Sequence, residues 1–241
     1  MATWVTHLMI ADRVLETESH LDRHGFCVGN IAPDCNVENE NWTQFVPSRE
    51  VTHWMSADRK VAADCDRFYE AYIENRKQQI LSQEEESFLL GYYVHLMTDA
   101  YFMAFIRDET RVQASFRRLK ADPLAGKMLI GMPETFETLK RCFDRRERSV
   151  DFEDFEREYV LAHPTCAYNT LVRTTTAFPD EWAELPAGAI ARKIQIMAFE
   201  IQEKPAAGKG LFFSREELQG FIDTMVNQLV KRLMDQQEEY Q

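Results

Sequence analysis

The sequence predicts an all-α fold. Apolar residues recur at helical spacing along most of the 241-residue chain, and two serine–glutamate capping boxes mark helix starts. No alternating apolar run is bounded by a hairpin dipeptide, so strand signals are scarce. The length suits one large domain, and we therefore expect residues 1–241 to form a single globular multi-helix domain.

The first predicted helices lie in the N-terminal part of the chain. Val5 and Leu8 belong to an apolar stripe that Asp12 avoids, which predicts a helix near the start. Residues 48–77 follow Pro47 and carry the same periodicity. They predict one long helix or two joined helices.

A central helix is predicted next. Ser82 and Glu85 form a capping box at its start, and three glutamates in its first turn suit the positive end of the helix dipole. Its second half has little polar face, which indicates that other helices surround it. Ser214 and Glu217 form a second capping box. Further helices are predicted at 109–120, 134–147, 151–161, 165–177, 187–203 and 214–237.

Composition excludes some classes of function. The chain has 28 lysines and arginines against 40 aspartates and glutamates, a net charge of −12, which opposes unassisted binding to nucleic acid or anionic lipid. No apolar run reaches the ~18 residues of a membrane span. The N-terminus lacks the pattern of a secretory signal, and the five cysteines form no CxxC pair. We therefore expect a cytoplasmic protein with reduced thiols; the oligomeric state is not predicted.

The segment "GYYVHLMTDAYF" places His95 and Asp99 four residues apart in an apolar stretch. On a helix these positions are neighbours, so the imidazole and the carboxylate could bind one ion from the same face. Both groups are good zinc ligands. The pair also permits a simpler interpretation, in which the carboxylate only hydrogen-bonds the imidazole.

Other residues favour the metal. His7 and His53 are flanked by apolar residues in predicted helices, and Asp34 ends the loop "GNIAPD", where Gly29 permits close backbone approach. Burying these groups without partners would be costly, whereas a metal centre would satisfy them together. The remaining histidines are expected at the surface or as ordinary donors: His20, His24 and His163.

Four motifs, "THLMIADRVL", "GNIAPD", "THWM" and "GYYVHLMTDAYF", follow one another in this order within residues 1–105. In this order and spacing they resemble the bacterial zinc-dependent phospholipase C family and the related N-terminal domain of glycosylphosphatidylinositol-specific phospholipase D. The resemblance implies a helical fold of the phospholipase C and P1-nuclease type, with zinc in a cleft between helices and hydrolysis of phosphodiester bonds. Residues 106–241 show no specific resemblance and are expected to be a C-terminal helical part.

The resemblance also implies the ligands. One zinc would be held by four side chains: Asp34, His53, His95 and Asp99. Asp99 would bridge to a second zinc held by His7 and by the terminal amine, that of Met1, or of Ala2 if Met1 is removed. Two ions so held would neutralise phosphate oxygens and activate water, and Asp34 is the candidate to orient or deprotonate that water.

The family's third zinc site has no counterpart here. The segment "AYFMAFIRDETRVQ" after Asp99 lacks histidine, and His163 is followed four residues later by Ala167 instead of glutamate. The sequence therefore predicts a phosphoesterase-like hydrolase with one or two ions, acting on a small phosphoester or a phospholipid headgroup. Two alternatives stay open: a non-catalytic helical binding module with a structural metal, and a metal-free helical protein with a hydrogen-bonded His/Asp core.

Overall fold

The structure, a computed structural model, describes residues 2–55, 63–197 and 208–238, with side chains placed up to residue 235. These parts contain twelve α-helices and one two-stranded sheet, so the predicted all-α class is confirmed. The helices are α1 (Trp4–Thr17), α2 (Arg23–Gly29), α3 (Arg49–Thr52), α4 (Cys65–Tyr69), α5 (Gln83–Phe105), α6 (Glu109–Ala121), α7 (Ala125–Met128), α8 (Phe136–Cys142), α9 (Arg145–Ala162), α10 (Ala167–Thr170), α11 (Ala189–Met197) and α12 (Arg215–Glu238). Shorter helical turns cover Ala32–Asp34, Glu70–Glu74, Val172–Thr174 and Asp180–Ala183.

The capping residues read from the sequence begin the helices they were expected to begin. The Ser82 hydroxyl accepts a hydrogen bond from the Glu85 backbone N–H at the start of α5. At α12 the Ser214 and Glu217 side chains each bond the other residue's backbone N–H, at 3.2 and 2.7 Å. These side chains satisfy N–H groups that the first turn of a helix leaves without partners.

The prediction that His53 lies inside a helix within residues 48–77 is wrong. Helix α3 has only four residues, and His53 follows it instead of lying inside a helix. Trp54 has a φ of 51°, a left-handed conformation that cannot continue α3. Residues 56–62 lie outside the described residues, and α4 then continues into the turn Glu70–Glu74.

Other predicted boundaries also need correction. The region 134–147 is divided between α8 and α9, because Asp144 and Glu147 form a capping box that begins a new helix. The region 165–177 contains only α10 and a short helical turn. Helix α11 covers the start of 187–203, and residues 198–203 lie outside the described residues.

Helices α2 and α7 and both strands were not predicted. Helix α2 lies in a stretch rich in polar residues, with the Asp22 side chain accepting a hydrogen bond from the Gly25 backbone N–H at its start. The strands β1 (Val37–Glu38) and β2 (Phe45–Val46) pair antiparallel, with Val37 opposite Val46. Two residues per strand are too few for an alternating pattern to be recognised.

Helices α2 and α5 pack with their backbones in contact. A Cβ atom added at Gly29 would lie 2.0 Å from the Phe88 carbonyl oxygen, and one added at Gly91 would lie 2.1 Å from the Phe26 carbonyl oxygen. No side chain fits at either position, so only glycine permits this approach. The contact brings the turn that follows α2 against the middle of α5.

Helix α5 is central, as its apolar composition predicts. It is buried along most of its length and contacts α1, α2, α4 and α12. The apolar core extends from Ala2 to Leu233 and so includes residues of both the motif-bearing part and the C-terminal part. Within the described residues, no helix combines the length and the apolar character that crossing a membrane requires.

Candidate metal centre

The structure brings together all five side chains that the sequence proposed as ligands. They come from four elements: His7 from α1, Asp34 from the turn Ala32–Asp34, His53 from the residue after α3, and His95 and Asp99 from α5. The three imidazoles are fully or almost fully buried. The side chain of Asp34 is the most accessible of the five, at 16 % exposure.

The two carboxylate oxygens of Asp99 face different partners. Oδ1 lies 3.5 Å from His7 Nε2 and accepts a hydrogen bond from the Ala2 backbone N–H at 2.8 Å. Oδ2 lies 3.8 Å from both His53 Nε2 and His95 Nε2. One carboxylate therefore lies between two groups of donors.

His95 occupies the middle of the cluster. Its Nε2 is 3.4 Å from His53 Nε2, which in turn is 3.3 Å from Asp34 Oδ1. Two sets of three ligand atoms, each within 4.8 Å of one another, can be drawn from the described residues: His7, His95 and Asp99; and Asp34, His53 and His95. Each set has the spacing that a shared cation requires.

Two of the imidazoles are oriented by their other ring nitrogen. His95 Nδ1 lies 2.9 Å from the Asn30 carbonyl oxygen. A carbonyl only accepts, so Nδ1 carries the proton and the Nε2 lone pair faces the cluster. His53 Nδ1 contacts the Thr52 hydroxyl at 3.0 Å. Such outer partners are typical of metal-ligating histidines.

His7 distinguishes a metal centre from a hydrogen-bonded core. Its ring stacks on that of His95, with centroids 3.8 Å apart and planes 7° apart. Among the described residues neither ring nitrogen of His7 has a hydrogen-bond partner, and neither does Asp99 Oδ2. Buried polar atoms are rarely left without partners, and a cation between His7 Nε2 and Asp99 would satisfy that ring nitrogen. The donor set of imidazoles and carboxylates fits zinc.

The electrostatics place both carboxylates and His95 in the protonation states that a cation needs. Burial opposes the charge on Asp34, but its hydrogen bond with His53 and its electrostatic interactions with His53, His95 and Arg49 hold its pKa well below the usual range. Burial likewise opposes the charge on Asp99, whose interactions with His7 and His95 lower its pKa to about 2. Burial and the neighbouring His7 lower the pKa of His95 to about 3. Both carboxylates are thus ionised and His95 is neutral at pH 7.

The terminal amine is a separate matter. Met1 lies outside the described residues, so its role as a ligand stays a prediction. The described chain begins at Ala2, whose backbone nitrogen is next to Asp99.

The other histidines lie outside the cluster. His20 and His163 are exposed, and His24 is bonded to Glu84 at 3.0 Å and to Thr175 at 3.1 Å. His163 stacks on Tyr159, four residues before it.

Sequence reasoning missed the residues that support the ligands. Asn30 acts through its backbone carbonyl, which leaves no signal in the side-chain pattern. Arg49 donates from Nη2 to Asp34 Oδ1 at 3.0 Å. Thr52 and Arg49 both lie just before His53 in "REVTH", and that proximity was the only available signal.

Comparisons with known proteins agree with this geometry. Residues 6–102 match the family model described as zinc dependent phospholipase C, and all five cluster side chains lie within the matched segment. Neither the curated proteins nor the solved structures give a significant match. Zinc is the cofactor that the match and the His/Asp cluster together support, and the match supports a metal-dependent hydrolase at family level. The match over residues 6–102 supports membership of the zinc-dependent phospholipase C family.

Proposed function

We propose that this protein is a phosphodiester hydrolase that uses one or two zinc ions, bound by His7, Asp34, His53, His95 and Asp99. The observation that supports it best is the position of the Asp99 carboxylate between two donor groups. A carboxylate so placed is suited to bridge two ions. The described residues offer two groups of side chains with ligand spacing: His7, His95 and Asp99; and Asp34, His53 and His95.

Zinc, when bound, supplies a Lewis acid that stabilises the charge developing on the phosphate. The protein's own residues hold the centre in place. His95 is fixed by the Asn30 carbonyl, and His53 by the Thr52 hydroxyl, so neither ring must reorganise when substrate arrives. His7, His53 and His95 are buried, whereas the Asp34 side chain is 16 % exposed, so the cluster is most open to water beside Asp34.

Asp34 is the residue we assign to the attacking water. Its carboxylate is more exposed than the other ligands, so it lies where water and substrate enter. Its low pKa makes it a weak base. We therefore assign it the role of orienting the water by accepting a hydrogen bond, and not that of a general base.

The substrate class follows from charge and family. A net charge of −12 repels long polyanions such as nucleic acids, whereas a single phosphodiester carries one negative charge that the cations can balance. The family match supports a phospholipid headgroup as the physiological phosphodiester. A small soluble phosphoester has the same reacting group.

The test combines metal content with turnover. We expect untagged protein to contain one or two zinc equivalents and to hydrolyse bis-p-nitrophenyl phosphate and phosphatidylcholine in a chelator-sensitive manner. His95→Ala should lose zinc and at least about 100-fold in kcat/KM. The matched control is His163→Ala, because His163 is exposed and lies outside the cluster.

Two outcomes would contradict the proposal. Wild-type turnover in His95→Ala would mean that the site is misplaced. Tightly bound zinc with no turnover of either diester would instead favour a structural metal in a binding module.

A further inference from the structure

Arg49 contacts two metal ligands at once. Its Nη2 donates to Asp34 Oδ1 at 3.0 Å, and its backbone carbonyl accepts a hydrogen bond from the His53 N–H at 2.9 Å. The residue therefore lies where the ligand-bearing turn Ala32–Asp34 meets α3.

Arg49 also lies on the solvent side of the centre. Its side chain is 34 % exposed, against 16 % for Asp34 and 7 % or less for His53 and Asp99. Of the ion pairs between described residues, only that of Arg49 joins an arginine or lysine to a carboxylate of the cluster. A substrate that approaches past Asp34 therefore meets a guanidinium group.

The guanidinium of Arg49 places a positive charge beside Asp34, on the more exposed side of the centre, and a phosphodiester is an anion. The planar guanidinium has five donors, and its geometry fits two oxygens of one phosphate.

We propose that Arg49 is a substrate-binding residue. Its guanidinium contacts the phosphate directly and supplies a positive charge in addition to that of the bound zinc. This inference rests on the proposed function, because it assigns the phosphate to the same centre. The competing role for Arg49 is structural: it would only hold the Asp34 carboxylate in its orientation.

The experiment uses inorganic phosphate as the probe, so that it does not depend on turnover. Zinc content is measured for wild type, Arg49→Met, Arg49→Lys and Arg13→Met, and phosphate binding to each zinc-loaded protein is measured by titration calorimetry. Arg13 is a matched control because its side chain is 33 % exposed and pairs with Asp223, away from the cluster.

We expect Arg49→Met to keep its zinc and to bind phosphate roughly 10- to 100-fold more weakly, the range for hydrogen bonds to charged groups. The phosphate affinity of Arg49→Lys should lie between those of wild type and Arg49→Met, because lysine keeps the positive charge but lacks the planar guanidinium. Arg13→Met should match wild type. In turnover assays the Arg49 variants should raise KM more than they lower kcat.

Several results would overturn the inference: wild-type phosphate affinity in Arg49→Met, with or without loss of zinc, or no phosphate binding by the zinc-loaded wild type. Failure of the proposed function is distinguishable. Weakened phosphate binding in Arg49→Met without any diester turnover by wild type would leave Arg49 as an anion-binding residue and reject the hydrolase. Diester turnover by wild type, together with an unchanged KM in Arg49→Met, would keep the hydrolase and reject Arg49 as a substrate-binding residue.

Discussion

The substitution Gly29→Ala tests whether the backbone contact between α2 and α5 holds the metal centre together. The added Cβ would lie 2.0 Å from the Phe88 carbonyl oxygen and 2.9 Å from the Phe88 Cα, whereas real Cβ contacts stay beyond 3.0 Å. The obstructing atoms belong to the backbone of the central helix and cannot rotate away. The two helices must therefore separate by about 1 Å.

The expected loss of stability combines two opposing effects. Overpacking of a close contact costs about 1–3 kcal/mol, and more where backbone must move. Alanine in a helix regains up to about 1 kcal/mol relative to glycine. We expect a net loss of about 2 kcal/mol in the free energy of unfolding.

The same separation should weaken zinc binding. It moves the Asn30 carbonyl, one residue after Gly29, away from His95 Nδ1, now 2.9 Å distant. Loss of such an outer partner lowers metal affinity by about 10- to 100-fold. Urea unfolding of the metal-free protein measures the first effect, and chelator competition measures the second.

Gly220→Ala is the matched control. Gly220 lies in the interior of α12, and an added Cβ there would meet nothing within 4 Å. This substitution should stabilise the protein by about 0.5–1 kcal/mol and leave zinc affinity unchanged. If Gly29→Ala behaves in the same way as Gly220→Ala, the close-contact reasoning is wrong.

Two further predictions concern pH and metal removal. Burial raises the pKa of Glu156 to about 7, although Thr3 and Thr6 donate hydrogen bonds to it. The folded state thus binds this proton more tightly than the unfolded state, and stability should fall by about 3 kcal/mol as pH rises from about 4.5 to 7. Glu156→Gln should remove most of this pH dependence of the free energy of unfolding, measured by urea titration at pH 5 and 8. An equal change between the two pH values in wild type and variant would contradict the assignment to Glu156. Chelation of zinc should lower the Tm by about 10 °C, the effect of ligand at ~1,000 times its Kd on a chain of this length. The Tm of His95→Ala should not respond to chelator, and an unresponsive wild-type Tm would argue against a bound ion.

The boundaries of the longest helices could be predicted from local sequence. Ser82 and Ser214 begin α5 and α12 because a serine hydroxyl satisfies an N–H of the first turn, and that interaction spans only three residues. The pairing of His95 with Asp99 was equally local, because a helix places i and i+4 on one face. His7, Asp34 and His53 were proposed as ligands through the resemblance of the ordered motifs to the phospholipase C family, which also implied Asp99 as the bridging group.

The arrangement of the cluster side chains depends on packing between parts of the chain that are distant in sequence. Whether His7 stacks on His95, and which oxygen of Asp99 faces which imidazole, depends on how α1 crosses α5. The support of His95 by the Asn30 carbonyl depends on glycines that let α2 contact α5, a fit between residues about 60 positions apart. Such contacts are determined by the shapes of two surfaces, and composition or periodicity along one segment carries no information about them. The sequence alone thus determined which residue types are candidate ligands. Their convergence on one centre, and the position of Arg49 beside it, were determined by the tertiary structure.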